Sequence, residues 1–118
     1  MLQNLISAEK INEAYQQQID ILTKLGEAEF ELSEAEFQLQ KAIARMYEQP
    51  DFKPGKNDME RNAQIEQFSP SINSIAIASK AKVEQLKNEY RVAGLNVDKY
   101  SILIKYMEAI KDLPENIE

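Results

Sequence analysis

The stretch INEAYQQQIDILTKLGEAEFELSEAEFQLQKAIARM, Ile11 to Met46, decides the fold. Read in sevens, its a positions are Ile11, Gln18, Leu25, Leu32, Leu39 and Met46, and its d positions are Ala14, Ile21, Ala28, Ala35 and Ala42. Apolar residues three and four apart line one stripe of a helix, and a register held over five heptads specifies a coiled-coil-like seam. Alanine fills four of the five d positions, so a partner backbone can come close.

Outward from this stretch, the chain supplies its own partner. Good helix formers dominate a first helix from about Asn4 to Glu48, and Pro50 disfavours helix at Gln49. The segment 49–56, QPDFKPGK, carries two prolines and Gly55 and reads as the one loop. Asn57 with Glu60 three residues later forms a capping-box-like start for a short helix to Phe68. Met59, Ile65 and Phe68 are its expected apolar contacts. Ser69-Pro70 then opens a second arm over 70–112, with Ser69 as cap and Pro70 in the first helical position. Its stripe is Ile72, Ala76, Ser79, Val83, Leu86, Tyr90, Ala93, Val97, Tyr100, Ile104 and Met107. Pro114 closes it, leaving a frayed tail over 113–118. The expected fold is therefore all-α: one elongated domain over 1–118, a long antiparallel helical hairpin with a short helix at the turn. Gly26 and Gly94 are each a candidate bend, and antiparallel pairing sets one nearly opposite the other.

A second stripe lies off the seam. Phe30 and Phe37, in the near-repeat Ala28-Glu29-Phe30 and Ala35-Glu36-Phe37, continue through Ala44 to Tyr47. A two-helix hairpin cannot bury opposite faces of one helix. Phe30, Phe37 and Tyr47 are thus the candidate oligomer face, and a homo-oligomer is expected.

Composition narrows the chemistry. The 118 residues contain no cysteine and no histidine, which removes disulfides, zinc fingers, imidazole acid–base catalysis and Ser-His-Asp triads. Glu27, Glu31 and Glu34 lack the Glu-x-x-His partners of helical di-metal sites and read as a solvated face. Pro54-Gly55-Lys56 is a turn and not a Walker loop. No enzyme and no cofactor is expected. No signal peptide or membrane-length apolar run appears, so a cytoplasmic protein with no membrane partner is expected.

The net charge of −6 is uneven: residues 1–40 carry two basic and eight acidic side chains, and 41–107 carry eleven basic and eight acidic. Lys41, Arg45, Lys53, Lys56 and Arg61 gather near the turn, interleaved with Tyr47, Phe52 and Phe68. Cations with exposed aromatics suit single-stranded nucleic acid. The bland alternative has Phe52 and Phe68 plugging the turn while the charges stay in water. A second row, Lys80, Lys82, Lys87 and Arg91, either extends that surface or pairs with acids of the first helix.

The run Ala35 to Ala42 (AEFQLQKA), Tyr47, the polar turn, and Lys56 to Ala63 (KNDMERNA) resembles small helical proteins of tailed phages encoded among replication and recombination genes. The order of helix, basic turn, short helix and long helix is loosely similar to the recombination mediators of T-even phages. That resemblance implies ring-like oligomers, a recombinase, replication or host protein as partner, and Lys41, Arg45, Lys53, Lys56 and Arg61 facing single-stranded DNA. The acidic net charge departs from it. Two other functions fit the residues: an inhibitor of a host defence nuclease or other host enzyme presenting Glu29, Glu31 and Glu36 as an acidic surface, and a structural coiled-coil adaptor.

Overall fold

A computed structural model describes residues 8–111. These form three helices: α1 (Ala8–Tyr47), α2 (Asp58–Phe68) and α3 (Pro70–Lys111). The expected helical residues 4–7, residue 112 and the 113–118 tail lie outside the described residues. Two long helices, α1 and α3, pack against each other as a helical hairpin, and the described residues contain no strand.

The seam reading maps directly onto burial. Every a and d position from Ile11 to Met46 is buried or half-buried, whereas other α1 positions are exposed except Ile43. Every α3 stripe position from Ile72 to Met107 is likewise buried or half-buried, although Asn73, Gly94, Asn96, Ser101 and Leu103 off the stripe are half-buried too. Both glycines stay inside continuous helix, so neither Gly26 nor Gly94 breaks its arm.

The described residues divide into two compact units, one of 8–24 with 86–111 and one of 25–85. In the first, Ala14, Leu86 and Ala93 are buried. A Cβ on Gly94 would lie 3.4 Å from Gln18 Nε2, so Gln18 is what faces this glycine. No atom comes within 4 Å of a Cβ built on Gly26. The expectation that the two glycines face each other is therefore wrong. Gln18 is the polar a position of the heptad, and its long side chain fits over a residue without one.

The second unit holds the turn. Here Leu25, Ala28, Ala35, Ala42 and Met46 of α1 are buried, as are Ala76 and Val83 of α3. Alanine supplies little area, about one methyl group or 0.8 kcal/mol per buried residue, so close approach must supply the contact. Among the described residues no large side chain falls below 2% exposure.

Between α1 and α2 the chain is held by its own polar atoms. Phe52 N–H donates to Gln49 C=O at 3.2 Å. Pro50 at the second place and Asp51 at the third, with φ of 66°, match a type II turn, where glycine or asparagine is usual. Gln64 Nε2 donates to Lys53 C=O and its Oε1 accepts from Gly55 N–H, both at 2.8 Å. Gly55 must be glycine here, because a Cβ would sit 2.6 Å from Glu60 Cβ and 3.0 Å from Arg61 N. Asn57 caps α2 by accepting from Glu60 N–H at 2.8 Å. Glu60 returns to Lys56 N–H at 2.7 Å, one residue earlier than a capping box would have it. A single residue, Ser69, separates α2 from α3, and its N–H closes α2 on Ile65 C=O at 2.9 Å.

Candidate functional site

The unit of residues 25–85 carries all of the candidate site residues. On α1, at 100° per residue, Gly26, Phe30, Ser33, Phe37, Gln40 and Ala44 form one line on the side away from the seam. Phe30 is 67% and Phe37 57% exposed, values that leave most of each ring uncovered. Ser33 is a small gap between the two rings. Tyr47 continues this line by a further step of three at the end of α1, half exposed, and its ring meets that of Phe52 edge-on at 5.0 Å. The three residues named as a candidate oligomer face thus lie along one exposed line, and Tyr47 also closes the turn.

Phe30 also borders a groove of about 440 Å³ between α1 and α3. Ile72 and Ile75 line its α3 side, Ala35 and Gln38 its α1 side. Ile75 is 58% exposed and was not singled out from sequence. The signal was present in the three-residue spacing of Ile72 and Ile75, which widens the seam stripe by one position. Near this groove, Lys82 Nζ lies 3.4 Å from Glu31 Oε2. That ion pair joins an α3 lysine to one member of the acidic surface named with Glu29 and Glu36. Exposed as it is, it contributes little stability.

The five cations near the turn have unlike surroundings. Arg61 is half-buried, donates from Nη1 to Gly55 C=O at 3.1 Å, and pairs through Nη2 with Asp58 at 2.7 Å. Its guanidinium is a clamp on the loop. Lys41 Nζ sits over the Phe37 ring, 4.6 Å from the centroid, a cation–π contact. Arg45 is exposed, with Nε 3.5 Å from Lys41 C=O. Lys53 and Lys56 give backbone atoms to the loop network while both residues remain exposed. A cleft at the turn, lined by Met46, Phe52, Gln64, Gln67 and Phe68, contains none of the five.

The inward face of α2 is Arg61, Gln64 and Ile65, with Phe68 at its edge. Met59, expected to make contacts, is instead 78% exposed. It stands half a turn away, because an eleven-residue helix held by Gln64 and Arg61 turns those residues inward. On α3, Arg91 Nη2 donates to Asn88 Oδ1 at 2.9 Å.

Among the described residues no group of three or more acidic side chains could hold a metal ion, and no helix is long and apolar enough to cross a membrane. In comparisons with known proteins, no family model, no curated protein and no solved structure matches this chain.

Proposed function

We propose that this protein is a non-enzymatic accessory factor that works by contacts with other protein surfaces, in the DNA recombination or replication setting its resemblance suggests. The observation that carries the reading is the exposure of Phe30 and Phe37 on a helix whose opposite side is already packed. Leaving two phenyl rings in water forgoes about 1.5–3 kcal/mol each that burial would return, so a covering surface is the natural use of the face. Its DNA component is low-affinity single-strand binding through Lys53, Lys56 and Arg45, since Arg61 is engaged within the loop.

Two measurements test it. Labelled single-stranded oligonucleotide is titrated at low and moderate salt against the native chain and Lys53→Glu/Lys56→Glu. Weak binding that falls steeply with salt and is lost in the variant is expected; no binding even at low salt removes the DNA component. Affinity capture from a bacterial lysate then compares the native chain with Phe30→Asn/Phe37→Asn. Replication or recombination proteins retained by the native chain and lost by the variant are expected. A captured set that the substitutions leave unchanged rejects this face as the working surface.

A further inference from the structure

The groove between α1 and α3 follows from two small seam residues. Lys82 lies against Glu31, and one helical turn on from that contact, in opposite chain directions, stand Ala35 and Ser79. Both line the groove, Ala35 buried and Ser79 half-buried. Side chains this short leave a trough between the packed helices. Phe30, Ile72 and Ile75 form its apolar walls, and most of Phe30 and Ile75 stays uncovered. The lining runs from Phe30 to Gln38 on α1 and from Ile72 to Ser79 on α3. That is two helical turns, about 11 Å, the reach of anchors at i, i+3 or i+4 and i+7 on one further helix.

Charge limits what can lie there. All charged residues of α1 from Leu25 to Gln40 are glutamates, and two of them, Glu31 and Glu34, stand on the groove. Glu31 is met by Lys82, whereas Glu34 has no hydrogen-bond or ion-pair partner among the described residues. Among the described residues, none that lines the trough is basic. Nucleic acid would bring phosphates to Glu34, and a second α1 would bring its own glutamates; both juxtapositions repel. An apolar stripe flanked by lysine or arginine satisfies the walls and the rim together.

We infer that this groove binds a cationic amphipathic helix of another protein. Its apolar residues seat against Phe30, Ile72 and Ile75, and a lysine or arginine sets against Glu34. This rests on the reading that the protein works by contacts with other proteins, and names the chemistry of the partner.

Selection on the full native chain from a displayed library of random peptides, about 16 residues or four helical turns long, tests it. Enriched peptides should carry apolar residues three or four apart with lysine or arginine beside them. The synthesised consensus peptide should gain helicity on binding and bind less tightly as salt rises. Ile75→Asn, Glu34→Lys and Gln38→Lys should each weaken it about tenfold or more, with far-ultraviolet helicity intact because all three positions are exposed. Phe37→Asn, off the groove, should leave peptide binding unchanged. No enrichment, enriched peptides that are acidic or uncharged, or binding undiminished in the three groove variants overturns the inference. So does a native dimer that Ile75→Asn dissociates while no cationic peptide enriches, which gives the groove to a second copy. If cationic peptides bind as described while lysate capture ignores Phe30 and Phe37, the groove stands and the phenylalanine face fails as the working surface. If capture depends on those rings and no cationic peptide enriches, the wider reading stands and this inference fails.

Discussion

At the scale of single residues, the glycines show how one sequence letter serves unlike purposes. Gly55 lies under the first turn of α2, where an added Cβ would stand 2.6 Å from Glu60 Cβ. Gly26 stands in open space within the chain. The same substitution should therefore act with opposite sign. Gly55→Ala should lower stability by about 1–3 kcal/mol, because the loop must move off α2. Gly26→Ala should raise the stability of the monomer by about 0.5–1 kcal/mol, the helix-propensity gain alone. Chemical denaturation of the Phe30→Asn/Phe37→Asn background would measure both without interference from association. Equal destabilisation by the two would mean that position 26 is more crowded than it stands here. Sequence could mark Gly55 as a turn residue, but not the reason, which is an atom five positions later. The pairing of Gly26 with Gly94 failed for a related cause. Counting outward from the turn assumes how many residues the loop and α2 consume, and Gln18 shows that count was off.

Elements were more legible than their contacts. The helix-forming arms, Pro50, the Asn57 cap and Ser69-Pro70 all act through neighbours in sequence, so local rules place them. The seam was legible for the same reason, since α1 and α3 each repeat one side every few residues. What α2 does was not. It has no buried residue, and its attachment runs through Gln64 and Arg61, polar side chains whose partners are backbone atoms of the loop. No hydrophobic pattern announces such a contact, and Met59 was misread because it is apolar. Gln64→Ala should release both 2.8 Å hydrogen bonds to the loop and cost about 1–2 kcal/mol. Hydrogen exchange should show where that loss falls. Amides of α2 should exchange before those of α1 around Ala28–Ala42, since few apolar contacts protect them. In Gln64→Ala they should approach the rate of free peptide while the seam keeps its protection. If α2 proves as protected as α1 in the native chain, the hydrogen bonds of Gln64 and Arg61 have been undervalued.

For the whole molecule, the question is what a chain with so little enclosed volume gains from a partner. Among the described residues, six of the ten buried apolar ones are alanines, and no large side chain is fully enclosed. A core of that kind leaves the isolated chain only marginally stable. Where a homo-oligomer covers Phe30 and Phe37, it adds the apolar burial that the seam lacks, so association and folding are linked. The consequence in a dimer is a melting temperature that depends on protein concentration. With about 0.7 kcal/mol of unfolding enthalpy per residue over both chains, each tenfold rise in concentration should raise it by about 3 °C. Phe30→Asn/Phe37→Asn should melt lower and show no such dependence. Scanning calorimetry across two decades of concentration reads both at once. A native melting temperature that is constant over that range, in a chain shown to be dimeric, would mean that each copy folds first on the strength of its alanine seam. The phenylalanine face would then contribute to assembly without contributing to the fold.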